Sequence, residues 1–154
     1  MSKYLTKQLE LTRNKLLSDV KKLDAGVIDV QPDGLNNTIH WHIGHILTVA
    51  EKFLFGFPEK SQYIPENYIG LFVNGTKPAD WTGVVPTVEE LTKQLTEQLG
   101  RIKQIPAEHF EKVLEQPIFG QNTFGELAAV LACHEANHIG QIHAMNLTVK
   151  AAGK

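Results

Sequence analysis

Six of the seven histidines in this 154-residue chain fall in two short runs, His40, His42 and His45 and then His134, His138 and His143. The later run carries the sharper chemical signal. Leu127, Leu131, His134, His138, Met145 and Val149 follow one another at helical steps, so a helix there puts both imidazoles on an apolar stripe. His134 and His138 then lie only about 40° apart around the axis. Buried polar groups carry a cost unless bonded, so two imidazoles one turn apart on such a face need partners. A shared divalent ion is one answer: neutral imidazole nitrogens bind zinc, nickel, iron or copper, and an i, i+4 pair delivers two to one ion. The plainer alternative is that each ring bonds a neighbour and fills space.

The same residues spell His134-Glu135-Ala136-Asn137-His138, the HExxH string of zinc peptidases. Those enzymes take a third ligand from downstream, a Glu on a following helix or a His six residues beyond the second. Here no acidic residue follows Glu135, Ala144 stands at the sixth position, and His143 lies about 180° from His134. A peptidase has no third ligand.

The third ligand is therefore sought in the earlier run, where spacing leaves the choice open. On a helix with the stripe Ile39, Ile43, Ile46, Ala50 and Leu54, His42 sits about 60° and His45 about 120° off centre, with His40 further round. Trp41 and Val49 flank His45 and widen the buried arc. Glu51, six residues after His45, is either a carboxylate supporting the ligands or a solvated side chain. Gln141 shares the face of His134 and either orients a ligand or packs. Cys133 reads as a small buried side chain, and His109 and His143 read as surface residues.

These residues need elements to position them. Leu5, Leu9, Leu16, Val20 and Leu23 mark a first helix over about 3–22, and a connection with a Pro32-Asp33-Gly34 turn follows. A second helix runs from Asn37 or Thr38 to about Phe55. Residues 56–86 mix aromatics with turn residues, which predicts a packed lid with a short helix near 66–73. Their aromatics either roof a cavity or simply cover the bundle. Thr87 with Glu90 and Thr123 with Glu126 are capping boxes that open the third and fourth helices. Pro106 stops the third, and a helical turn is expected within 107–114. No segment alternates as a strand does. The expected fold is all-α, a four-helix bundle with a long connection between helices 1 and 2 and an elaborated loop between helices 2 and 3.

Length and a 42% hydrophobic content predict a single domain over 1–154. Fifteen basic and seventeen acidic side chains give a net charge of −2, and the cations are scattered, which argues against nucleic acid as a partner. One cysteine allows no internal disulfide. The N-terminal segment is too polar for a signal peptide, and no apolar run nears the roughly 20 residues of a membrane span, so a cytoplasmic protein with no membrane partner is expected.

The segments Asn37-Thr-Ile-His-Trp-His-Ile-Gly-His45-Ile-Leu-Thr-Val-Ala-Glu51, Phe72-Val-Asn-Gly75 with Pro78, and His134-Glu-Ala-Asn-His138-Ile-Gly-Gln141-Ile together resemble the DinB-like superfamily of bacterial damage-inducible four-helix proteins. The likeness spans nearly the whole chain in element order. It implies one divalent metal ion, zinc or nickel foremost, held by one histidine of the second helix and two of the fourth: His45, His134 and His138. Three imidazoles leave an open position, as in catalytic sites. The likeness further implies a thiol S-transferase type of enzyme, acting on a small-molecule substrate with a low-molecular-weight thiol such as bacillithiol or mycothiol, and homodimers are common among such proteins. A metal-activated hydrolase is a variant of the same site. The rival expectation is a non-catalytic metal-binding or stress-responsive module.

Overall fold

Threonine caps open three of the four long helices. In the computed structural model, which describes residues 2–153 and leaves Met1 and Lys154 of the expected 1–154 unit outside, the first long helix, α1, is Ser2–Val20. A single turn, α2 (Ala25–Ile28), interrupts the long connection, its start held by Asp24 accepting from the Gly26 amide. Thr38 caps α3 (Ile39–Phe55) by accepting from Trp41 N–H, and Gly56 ends it in the left-handed region at φ 70°. Within the following loop lies α4 (Tyr68–Phe72), inside the stretch where a short helix is expected. Both capping boxes form as the sequence predicts, opening α5 (Val88–Ile102) and α6 (Phe124–Ala152). Each such cap stabilises its helix by about 1 kcal/mol.

α1 packs on α5 and α6, and α3 packs on the same two, so the four helices form a ring in the order α1–α6–α3–α5. The chain must pass from α1 to α3 across a diagonal, which is why that connection is long. The fold is all-α apart from one short hairpin. Strands β1 (Val113–Ile118) and β2 (Gln121–Thr123) pair antiparallel just before α6 and after a 3-10 turn at Ala107–Glu111. That hairpin is absent from the sequence expectation, which extends only to a helical turn here. Pro117 within β1 and the three-residue length of β2 hide the alternation that would reveal it.

The core has two apolar clusters. One gathers Leu16, Ile39, Ile43, Leu91, Ile142 and others, and the second gathers Leu9, Leu54, Ile102, Phe124 and Leu131. Every long helix also contributes to a buried polar layer. Arg13 of α1 pairs with Glu135 of α6 (Nε to Oε1 2.7 Å, Nη2 to Oε2 3.3 Å) and donates through Nη1 to Leu95 O and Gln98 Oε1 of α5. Gln98 Nε2 donates onward to Glu51 Oε2 of α3 at 2.7 Å. Glu51 is completed by Arg101 Nη1 at 2.7 Å and by the Ser61 hydroxyl. Two cations and two anions balance in this layer, as burial of charge requires. No helix among the described residues is long and apolar enough to cross a membrane.

Candidate metal centre

α3 is buried nearly all round from Ile39 to Thr48, which lets it point histidines in several directions at once. His40 faces away from α6. Its Nδ1 meets Asp29 Oδ1 and its Nε2 meets Pro86 O, both at 2.8 Å, so it ties the long connection and the segment before α5 to the first turn of α3. His42 and His45 turn toward α6 instead.

His45, His134 and His138 come together, each with one ligand atom and all three atoms within 4.8 Å of one another. His134 Nε2 lies 3.1 Å from His45 Nε2 and 3.0 Å from His138 Nε2. Tetrahedral coordination with 2.0–2.1 Å bonds separates ligand nitrogens by about 3.3–3.4 Å, so the three rings need only small adjustments to share one ion. His45 and His138 are buried and His134 is half-buried. Burial, followed by the neighbouring histidines, pushes His134 down to about 4 and His138 down to about 3. Burial likewise lowers His45, partly opposed by its bond to the Phe72 carbonyl. All three are therefore neutral near pH 7, with lone pairs available to a cation. The donor set fits a divalent transition ion.

The outer nitrogens of His45 and His138 are fixed as a metal site requires. His45 Nδ1–H donates to Phe72 O at 2.6 Å, which leaves Nε2 bare. Trp41 stacks on the same ring at 4.4 Å between centroids and is itself anchored by Nε1–H to Thr76 Oγ1. The loop after α3 thus orients a ligand that the helical stripe alone does not. Gly44 makes this possible. A Cβ there would lie 2.4 Å from carbons of the fully buried Phe72 ring. In an open helix Gly→Ala stabilises by about 1 kcal/mol. Here Gly44→Ala is expected to destabilise by about 1–3 kcal/mol through overpacking and to weaken metal binding by moving the Phe72 carbonyl. Thermal melts and a metal titration check this; unchanged values in both contradict it.

His42 stands beside the centre, its Nδ1 2.8 Å from His138 Nδ1. With His138 Nε2 facing the other rings, its Nδ1–H donates to His42 Nδ1, and His42 carries its own proton on Nε2. Burial pushes His42 down to about 4, keeping it a neutral acceptor. Replacing His42 by leucine is expected to lower metal affinity about 10–100-fold while one equivalent still binds at saturation. A loss as complete as that of a ligand variant would instead make His42 a direct ligand.

Among the described residues no hydrogen bond joins Glu51 or Gln141 to a ligand histidine, the supporting role that their positions in the sequence leave open. Glu51 is neither solvated nor near the histidines, because its carboxylate belongs to the Arg101–Gln98–Ser61 layer. Gln141 is exposed and lines the cavity mouth. Glu135 points to Arg13, so the HExxH base position is occupied by a structural ion pair. Cys133 is exposed, contrary to the expectation of burial, because its flank of α6 faces solvent. His109 is half-buried against the Phe124 ring rather than free on the surface, and His143 is exposed.

A cavity of about 680 Å³ opens in front of the three rings. Its lining combines apolar side chains, Val49, Phe53, Phe119, Val130 and Leu131, with the amides Asn37, Asn74 and Gln141 and with Lys52. Asn37 Oδ1 is buried without a hydrogen-bond partner in the protein. Phe57, Tyr68 and Phe72 of the long loop sit in the core, so that loop covers the bundle and lends the cavity only Val73 and Asn74.

The family model of the DinB superfamily matches residues 8–142. No curated protein matches the chain.

Proposed function

Because the chain belongs to the DinB superfamily, we propose that it is a metal-dependent enzyme of the thiol S-transferase type, with His45, His134 and His138 as ligands of one zinc or nickel ion. The observation that carries this reading is the convergence of three neutral Nε2 atoms on a cavity lined by both amide and apolar side chains. A bound divalent ion lowers the pKa of a thiol or water and polarises an electrophile.

The surrounding residues favour the thiol over water. A free thiol ionises near 8.5, so a modest push suffices at neutral pH, whereas hydrolysis gains from a positioned base. Among the described residues no carboxylate lines the cavity, and the buried glutamates Glu51 and Glu135 are held in ion pairs. The lining amides of Asn37, Asn74 and Gln141 suit a polar thiol carrier. The apolar lining residues suit the carbon electrophile.

The test is a panel of small thiols, bacillithiol and mycothiol included, with an aryl chloride on metal-loaded protein. Each turnover forms one S–C bond, breaks one C–Cl bond and releases chloride and a proton. Turnover in the parent and none in His138→Ala supports the reading. A protein that binds one equivalent of metal yet turns over no thiol points instead to a non-catalytic metal-binding module.

A further inference from the structure

The tip of the β1–β2 hairpin is built from an unsuitable residue. Phe119 and Gly120 are its two central positions, closed by the Ile118–Gln121 pair, and both have positive φ, 52° and 75°. Two-residue turns of this kind strongly prefer Asn-Gly or Asp-Gly, because other side chains crowd the backbone in the left-handed region. Phe119 is the one described residue other than glycine with positive φ. Core packing does not account for it, since the side chain is 65% exposed. It meets Phe53 of α3 edge-on, at 5.2 Å between ring centroids and 65° between planes, and with Phe53 it borders the cavity in front of the histidines. Strained backbone at a ligand-facing position is where function is to be sought.

Charge on this side is equally particular. Among the described residues Lys52 is the only charged side chain lining the cavity, and no carboxylate pairs with it. Its ammonium lies over the Phe53 ring at 5.8 Å, which places it beside the aromatic pair.

Resting on the reading of this cavity as the substrate site, we propose that Phe53 and Phe119 clamp the apolar arm of the electrophilic substrate and that Lys52 receives a single negative charge on it. The substrate class is a small carbon electrophile carrying an aromatic or branched aliphatic group and one anionic group. Aromatic rings set at an angle accept a third flat group edge-on or offset, the geometry that ring quadrupoles prefer. The uncompensated ammonium then orients the molecule with its reactive carbon toward the histidines.

A fluorescent aromatic monoanion, 1-anilinonaphthalene-8-sulfonate, and its neutral counterpart N-phenyl-1-naphthylamine test this by titration. Phe119→Asn suits the turn, so its melting temperature should equal or exceed the parent's while the Kd of both probes rises about tenfold. Lys52→Gln should raise the Kd of the anionic probe several-fold and leave the neutral one unchanged. Absence of saturable binding to the parent, or parent-like affinity in Phe119→Asn, overturns the clamp. Equal effects of Lys52→Gln on the two probes overturn the charge assignment. Probe binding needs neither metal nor thiol. A missing transferase activity with Phe119-dependent binding therefore contradicts the enzyme reading alone, and activity indifferent to Phe119 contradicts the clamp alone.

Discussion

Glu135→Ala is expected to lower the melting temperature by about 10 °C, the largest stability loss of any single substitution outside the apolar core. The carboxylate holds Arg13 through two bonds in a layer where both side chains are almost fully buried. Removing it leaves a guanidinium in the bundle interior with only the Leu95 carbonyl and Gln98 amide oxygen as acceptors. Breaking a buried pair in this way costs about 3–5 kcal/mol, because the surviving charge is desolvated without compensation. Replacing both partners by methionine should restore much of the loss, since an apolar pair of similar volume removes the penalty as well as the attraction. Circular dichroism melts in the presence of chelator, which removes any stabilisation by bound metal, give the comparison. A shift of only a degree or two in Glu135→Ala would contradict the account of this layer.

His138→Ala is expected to have the largest effect on metal binding, lowering affinity by well over 100-fold, beyond the about 10–100-fold range of groups that only support a ligand. The ring supplies one of three converging nitrogens and is also the group that His42 steadies, so the variant loses a ligand and strands its support. His134→Ala should match it, because His134 Nε2 is within 3.1 Å of both other ligand atoms. His143→Ala, exposed on the same helix, should bind as the parent does. Competition titrations against a chromogenic chelator measure all four proteins. Equal affinities in His138→Ala and His143→Ala would contradict the assignment.

The long helices are readable from the sequence because periodic leucines and two capping boxes state the same answer at two levels. His134 and His138 are readable for the same reason, being one turn apart on an apolar stripe. His45 is not, because a flank of α3 that the stripe leaves open is buried by the loop after it, and only the fold brings the Phe72 carbonyl to its ring. The polar layer leaves a trace that is easy to pass over. Arg13 stands four residues after Leu9, and Glu135 four after Leu131, each filling a place where the stripe calls for an apolar residue. Gln98, three residues after Leu95, and Glu51, four after Leu47, stand in comparable places. Opposite charges in matching gaps of different helices are a sign of a buried pair, whereas Glu51 read by its distance from His45 suggests a role at the metal. Phe119 gives no signal through hydrophobic pattern at all. Its meaning lies in a backbone angle, and a Phe-Gly dipeptide does not announce a turn as Asn-Gly does.

The central claim is that three imidazoles hold one cation. X-ray absorption at the metal edge, on protein purified without added metal, tests it most directly. One equivalent of metal with three imidazole nitrogens at about 2.0–2.1 Å, falling to little or no metal in His138→Ala, is the predicted result. Fewer than two imidazoles around the ion, or the same metal content in the parent and in His138→Ala, would contradict it.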